Sequence, residues 1–136
     1  MQTWKTLERQ LLLDHSKFLR VEEHTVGLPD GRQIPGWPWV ITRDYIIAAA
    51  VNKEGKFVLF RQTKYAIEGT SLAPVGGYIE AGEETMAAAK RELLEETGHA
   101  AEEWISLGSY RQDGNHGAGT GHLFLAIRAT KVAEIN

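Results

Sequence analysis

Three glutamates and an arginine stand close together in the second half of the sequence. Glu92, Glu95 and Glu96 are spaced at i, i+3 and i+4, so a helix would project their carboxylates from one side. Like charges this close repel by some tenths of a kcal/mol per pair, roughly, unless a cation compensates them. Mg²⁺ or Mn²⁺, which prefer oxygen ligands, are the natural candidates. Arg91 can pair with a carboxylate and hold it in one rotamer.

The helix itself is supported by hydrophobic periodicity. Met86, Ala89 and Leu93 recur at spacings of three and four, which makes one apolar face. Thr85 is the predicted N-cap, and Gly98 is the predicted helix stop. Glutamates on a helix more often form a solvated surface than a metal site. The sequence around the carboxylates must therefore distinguish a solvated surface from a metal site.

A fixed framework of residues surrounds these carboxylates. In order along the chain it consists of Gly77, Glu83, Arg91-Glu92-Leu93, Glu95, Glu96 and Gly98. This pattern resembles the Nudix box, and only the last box position departs from it, with His99 where an aliphatic residue is usual. At ordinary residue usage a chance match of this kind is roughly a one-in-a-million event.

The resemblance implies a metal-dependent hydrolase of pyrophosphate linkages. In enzymes of this family the box forms a loop-helix-loop that presents divalent cations to a pyrophosphate. By position, Glu92 and Glu96 are expected to be the principal metal ligands, with Glu95 completing the cluster. The backbone carbonyl of Gly76 is expected to be a further ligand. The expected cofactor is Mg²⁺, with Mn²⁺ as a substitute.

Supporting residues and the catalytic base follow from the same resemblance. Glu83 and Arg91 are expected to fix the loop and orient the carboxylates. Three alternatives stay open for the base that activates water. It is one of the helix glutamates, Glu95 for example, or Glu134, or a residue after Asn136. A second helix that closes the family's sandwich would also lie after Asn136.

The substrate is indicated by regions outside the box. The N-terminal strands and the run 61–65 resemble the ADP-ribose and nucleotide-sugar branch of the family. This implies a nucleoside diphosphate derivative as the substrate and a homodimer as the assembly. Arg61 is a candidate phosphate or ribose contact, or else a surface arginine. Trp37 and Trp39 are candidates for stacking a base, or else pack the β-region or a dimer interface.

Several other residues are secondary candidates. His116 and His122 flank a glycine-rich segment and could serve as an acid or a base, as could Asp113. His99 is a further candidate metal ligand. Two other functions stay open on the same scaffold, a nucleoside triphosphate pyrophosphohydrolase and a catalytically silent nucleotide-binding regulatory domain.

The elements that must position these residues are predicted to be mostly strands. Apolar and polar residues mix over 11–14 and 18–26, and a turn is predicted at 28–32. The two prolines in 34–40 place that segment at a sheet edge or in a loop. The remaining predicted strands are 45–51, buried on both faces, 57–62, 104–110 and 123–129, with a flexible loop over 113–121.

The whole chain is expected to be one α+β domain over residues 1–136. It comprises an N-terminal antiparallel β-region, residues 1–42, and a Nudix α/β/α sandwich with a mixed sheet, residues 43–136. The 136 residues carry a net charge of −3 with no basic patch, which argues against nucleic-acid binding. The absence of long apolar runs, of cysteine and of a signal-like N-terminus favours a soluble cytoplasmic protein without a membrane span.

Overall fold

The computed structural model describes residues 2–15 and 17–135, so Asn136 lies outside the described residues. It divides into two compact units. Unit 1 comprises Met1–Arg43 and Arg111–Thr120, and unit 2 comprises Asp44–Tyr110 and Gly121–Asn136. In the described part of the chain no helix is long and apolar enough to cross a membrane.

Unit 1 is built on three antiparallel strands, β1 (Lys5–His15), β2 (Leu19–Gly27) and β3 (Gln33–Ile41). The predicted turn before β3 is confirmed. Leu28 accepts a backbone hydrogen bond from Gly31, which has a φ of 86° and therefore a conformation that suits glycine. The side chains of β1 are exposed along the whole strand, whereas β2 buries alternate residues.

The proline-containing segment is strand β3 rather than a loop. It pairs with β2 over most of its length, and among the described residues of unit 1 its other side is paired only at Val40, with Gly117. Pro35 falls where the register between the two strands shifts. A residue without an N–H is tolerated there because no ladder hydrogen bond is required of it. The other neighbour of β3 is the strand that contains Gly117, so β3 is an inner strand of the sheet and the predicted edge or loop position is wrong.

Unit 2 is organised around the central strand β4 (Tyr45–Asn52). β11 (Gly117–Lys131) is parallel to it, whereas β8 (Val75–Tyr78) and β5 (Phe57–Val58) are antiparallel, so the sheet is mixed. The other strands are β9 (His99–Ala100) and β10 (Glu103–Asp113), which pair with β11, and the separate hairpin of β6 (Phe60–Lys64) and β7 (Ile67–Ala73).

One helix, α1 (Thr85–Thr97), packs on this sheet. Its predicted stop is confirmed, because Gly98 is the C-cap, with a φ of 70° and an N–H bonded to the carbonyl of Leu94. The N-cap prediction is wrong by one residue. Glu84 occupies that position with extended backbone and makes no side-chain cap, while Thr85 is already helical.

The core of unit 2 lies between α1 and β4. Ala89 and Leu93 from the helix are fully buried, and Met86 packs at the margin, so the predicted apolar face is confirmed. From β4, alternate residues are fully buried toward the helix and the others are half-buried. Burial of this strand is therefore complete on one face and partial on the other, not complete on both.

Two other element predictions are corrected, and two strands were missed. The segment 57–62 is not one strand, because it divides between β5 and β6, which belong to different sheets. The segment 113–121 is not one loop. β10 continues to Asp113 and β11 begins at Gly117, which leaves residues 114–116 as the turn. The strands β7 and β8 were not predicted, and glycine-rich β8 exists because β4 pairs with it.

Candidate active site

The two glycines of β8, Gly76 and the box residue Gly77, lie directly against carboxylates of the helix. Gly77 pairs with Ile46 of β4, and a Cβ added to Gly77 would collide with the carboxyl group of Glu92. Only glycine leaves this space to the carboxylate. The N–H of Gly76 donates to Oε2 of Glu96 at 3.2 Å. Two of the three predicted metal-binding glutamates therefore contact the same short strand.

Arg91 joins the loop before the helix to the helix itself. Its guanidinium makes a bidentate contact with Glu83, with distances of 2.8 and 2.9 Å. Nη1 donates to Glu92 at 2.7 Å and to Glu95 at 3.1 Å. The hydrogen bond from Arg91, followed by one from the backbone of Glu80, lowers the pKa of Glu83 to about 2. The supporting role predicted for Glu83 and Arg91 is consistent with these contacts.

Glu96 is a half-buried carboxylate whose surroundings disfavour its ionised form. Burial raises the pKa of Glu96, and repulsion by Glu92 and Glu95 adds to the increase. The hydrogen bond from Gly76 and attraction to Lys64 act in the opposite direction without cancelling it. Added positive charge beside this carboxylate would favour its ionised form.

The donor chemistry fits a divalent ion with oxygen ligands. The candidate ligands are the carboxylates of Glu92, Glu95 and Glu96 and the carbonyl of Gly76, which are the oxygen donors that Mg²⁺ and Mn²⁺ prefer. Among residues 2–15 and 17–135, no three acidic or histidine side chains are already gathered around one point. Instead, the guanidinium of Arg91 lies between Glu92 and Glu95 as their cationic partner.

The cation that acts on the cluster from outside the box is Lys64, not Arg61. Arg61 is exposed and donates from Nη1 to the hydroxyl of Thr70 at 3.1 Å. In the described part of the chain it makes no hydrogen bond or ion pair with the box glutamates. Lys64, at the end of the same strand β6, is the cation whose charge lowers the pKa of Glu96. Sequence reasoning missed Lys64, because its proximity to Glu96 arises from packing between distant segments.

The aromatic candidates gather in unit 1. Trp39 stacks on His24, with ring centroids 5.4 Å apart, and Trp37 stacks on His116 at 5.8 Å. Trp4 meets Trp37 edge-on. A cavity of about 200 Å³ is lined by Trp4, Lys5, Thr6, His24, Val26, Trp37, Trp39, Gly114 and Asn115. The structure thus brings Trp37 and Trp39 to one cavity, and His116 supports the first of them.

A buried acid–imidazole pair under Trp39 was not singled out from the sequence. Oε2 of Glu22 lies 2.9 Å from Nε2 of His24, and both residues are buried. Arg20 also contacts this carboxylate, at 3.3 Å. The period-two pattern of β2, in which Glu22, His24 and Val26 alternate with more exposed residues, is the signal that could have identified the pair.

The secondary candidates have local partners. Nδ1 of His122 lies 2.7 Å from the hydroxyl of Ser109, and Nδ1 of His99 lies 2.8 Å from the carbonyl of Thr97. Lys131 donates to Glu134 at 2.8 Å, and this contact lowers the pKa of Glu134. None of these contacts reaches a box carboxylate.

Comparison with known proteins is decisive for the family, because the Nudix domain profile matches residues 41–134. The chain belongs to the Nudix family. It is a Nudix hydrolase, as the box predicted. Nudix hydrolases generally use divalent metals, which agrees with the donor chemistry of the box.

One relative and one solved structure are similar to nearly the whole chain. An ADP-ribose pyrophosphatase of Bacillus subtilis (strain 168) is 29% identical over 134 residues, covering 96% of this chain and 69% of the relative. A solved structure described as an ADP compounds hydrolase superposes with a TM-score of 0.77 at 18% identity. That superposition covers 100% of this chain and 73% of the other, and it confirms the predicted fold class of mixed sheet and helix.

Proposed function

We propose that this Nudix hydrolase cleaves the pyrophosphate bond of a nucleoside diphosphate derivative, with ADP-ribose as the favoured substrate. The products are a nucleoside monophosphate and the phosphorylated remainder. We further propose that residues 1–136 act as one domain in this reaction. The observation that carries the proposal is the contact of Glu92 and Glu96 with the two glycines of β8. The names of the two relatives support the choice of substrate.

The proposed cofactor is Mg²⁺, with Mn²⁺ as a substitute, held by Glu92, Glu95, Glu96 and the carbonyl of Gly76. When bound, such an ion supplies charge neutralisation of the diphosphate and a lowered pKa for a coordinated water. The raised pKa of Glu96 supports this assignment, since burial and neighbouring carboxylates disfavour its charge in the protein alone. The charge of Lys64 acts in the opposite direction and lowers the pKa of Glu96.

Positioning and proton transfer are assigned to the chain's own residues. Arg91 and Glu83 tie the helix to the loop that precedes it, so that the carboxylates keep fixed orientations. Glu95 is proposed as the general base. Its side chain is 57% exposed, whereas that of Glu92 is 13% exposed and Glu96 is half-buried, so it can meet an incoming water. Arg61 remains a proposed contact for phosphate or ribose.

Base recognition is assigned to the aromatic side chains of unit 1. Trp37 and Trp39 offer two indole rings to one cavity of about 200 Å³. A purine ring stacks on such faces at roughly 1–3 kcal/mol per base. His116 is proposed to act through its stacking on Trp37.

The assembly is proposed to be a homodimer. Strand β1 is exposed along its whole length and carries four leucines, Leu7, Leu11, Leu12 and Leu13, each about half accessible. A long apolar edge strand invites pairing with another chain unless it is covered. We propose that a second copy of this chain packs against β1 and buries these leucines.

The experiment that tests the activity is hydrolysis of a substrate panel with and without Mg²⁺. The panel contains ADP-ribose, several nucleotide sugars, a dinucleoside polyphosphate and the nucleoside triphosphates. We expect metal-dependent release of AMP from ADP-ribose. Preference for a nucleoside triphosphate would replace the proposed substrate. Nucleotide binding without any turnover would favour a silent regulatory domain.

The matched variants are Glu96→Gln and Glu84→Gln. The first removes a proposed metal ligand, and we expect kcat to fall at least about a hundredfold with an unchanged fold. The second makes the same change at an exposed residue whose carboxylate has no bond to other described residues, and we expect it to keep wild-type turnover. Normal turnover by Glu96→Gln, checked by circular dichroism for folding, would refute the metal assignment.

A further inference from the structure

One carboxylate organises the short turn between β10 and β11. Oδ1 of Asp113 accepts hydrogen bonds from the backbone N–H groups of Asn115, at 2.8 Å, and of His116, at 3.0 Å. Oδ2 of the same side chain lies 3.0 Å from Nδ1 of His116. Asp113 therefore holds both the backbone of this turn and the imidazole that projects from it.

These contacts also keep the Asp113 side chain ionised. The backbone N–H of Asn115 has the largest effect in lowering the pKa of this carboxyl, and the side chain and backbone N–H of His116 add to it. An ionised carboxylate is the stronger acceptor for all three donors. The ionised form of Asp113 is therefore the form that holds the turn.

Both residues held by Asp113 in turn contact Trp37. The carbonyl of Asn115 accepts the indole N–H at 2.8 Å. The imidazole of His116 stacks on the indole, with the two planes inclined by 21°. The carbonyl of His116 also accepts the backbone N–H of Val40, three residues further along β3. The orientation of the Trp37 ring is thus set from this turn.

Trp37 and Asn115 are both walls of the cavity assigned above to base recognition. The indole can serve as a stacking surface only if its plane is fixed before the base arrives, because ordering it on binding would cost affinity. Asp113 does not line this cavity. Its influence on the cavity must pass through the two residues that it holds.

We infer that Asp113 is a positioning residue that sets the orientation of Trp37 for recognition of the nucleobase. This inference rests on the proposed function, since it takes the base of a nucleoside diphosphate compound as the occupant of the cavity. Asp113 does not touch the substrate. Its loss affects substrate binding and leaves the chemical step alone.

Steady-state kinetics on ADP-ribose with the Asp113→Ala variant provide the first test. We expect KM to rise roughly three- to tenfold, the equivalent of about one lost hydrogen-bonded contact, with kcat within about twofold of wild type. Asp113→Asn keeps an oxygen that can accept both backbone N–H groups, and it should restore KM to near the wild-type value. An unchanged KM in Asp113→Ala would overturn the inference.

Two further variants separate positioning from general destabilisation. Asp30 accepts the backbone N–H of Arg32 at 3.1 Å and its Nε at 2.7 Å, in another turn of unit 1. Asp30→Ala therefore removes a comparable turn carboxylate away from the cavity, and KM should not change. In a Trp37→Ala background, Asp113→Ala should add nothing further to KM. A rise of equal size in both backgrounds would mean that Asp113 acts by another route.

A measurement that needs no substrate tests the positioning role of Asp113 separately from the proposed function. In protein labelled with 5-fluorotryptophan, the ¹⁹F resonance of Trp37 is identified by its loss in Trp37→Phe. We expect Asp113→Ala to shift or broaden this resonance and to leave that of Trp104 unchanged. If wild-type protein hydrolyses no diphosphate compound, the proposed function fails, while the NMR result still decides the positioning role. An unperturbed Trp37 resonance would refute that role.

Discussion

Arg91 contacts groups from three parts of unit 2. It bonds to Glu83 in the loop before α1, to Glu92 and Glu95 on the helix, and to the carbonyl of Tyr78 at the end of β8. Removing the guanidinium would leave two carboxylates of the proposed metal site without their cationic partner. Arg91 bonds to one oxygen of Glu92 and one oxygen of Glu95, and the second oxygen of each carboxylate has no bond from Arg91. The bidentate contact with Glu83 anchors the guanidinium beside both side chains.

The contact between Arg91 and Glu83 predicts a specific dependence of stability on pH. The pKa of Glu83 is about 2 in the folded protein and about 4.5 for the ordinary group. The unfolded chain therefore takes up this proton first as pH falls. The stabilisation by Glu83 is complete above pH 4.5 and is lost between there and about pH 2. Glu83→Gln should show a smaller loss of stability across that window, measured as the urea midpoint against pH.

Glu80→Gln is the matched control for this measurement. Glu80 is three residues away and exposed, and its carboxylate bonds to no other described residue. The control should therefore follow the wild-type profile between pH 4.5 and 2. Equal acid sensitivity of wild type and Glu83→Gln would show that Glu83 is not held by Arg91 in solution.

At the scale of single residues, the sequence predicted the contacts that depend on spacing along one helix. The carboxylates of Glu92, Glu95 and Glu96 are neighbours because a helix makes them so, and Arg91 adjoins them in sequence. Lys64 could not be found in this way, because the hairpin of β6 and β7 brings it near Glu96 only after folding.

Helix α1 carries the core of unit 2 on one face and the proposed active site on another. Leu93 is fully buried against β4, and Leu94, the next residue, is 44% exposed. Leu93→Ala should lower the free energy of unfolding by about 3 kcal/mol, because it removes buried methyl groups and leaves a cavity. Urea unfolding followed by circular dichroism measures this loss.

The Leu94→Ala variant is the control for the unfolding measurement on Leu93→Ala. It makes the same chemical change on the accessible face of the helix, so the free energy of unfolding should change by less than about 0.5 kcal/mol. Similar losses from the two variants would contradict the orientation of α1 on the sheet.

Sequence predicted the elements whose own pattern is strong enough to define them. The period of Met86, Ala89 and Leu93 and the stop at Gly98 specified α1 to within one residue. β8 was not predicted, because two glycines give it no strand propensity and its formation depends on pairing with β4. The division of 57–62 between two sheets could not be predicted either. No residue in that segment indicates that the pairing strand changes there.

At the scale of the whole molecule, the alternation of apolar and polar residues identified strands but not what covers them. The leucines of β1 are as apolar as those of a core, yet β1 has no buried side chain. The sequence pattern shows that the side chains of β1 are apolar. Only the fold shows that these side chains are exposed in unit 1. This exposed strand is therefore the feature of the fold on which the proposed homodimer rests.

The proposed homodimer predicts a concentration-dependent assembly that depends on β1. Leu11 is 51% exposed on β1, and Leu107 is 48% exposed on β10 in unit 2. If a second copy covers β1, Leu11→Lys should weaken the dimer about tenfold or more, because each leucine that completes its burial there contributes about 1–2 kcal/mol. Leu107→Lys adds the same charge and should leave the dimer intact. Sedimentation velocity over a range of concentrations measures both, and a wild-type chain that stays monomeric would remove β1 as a dimer interface.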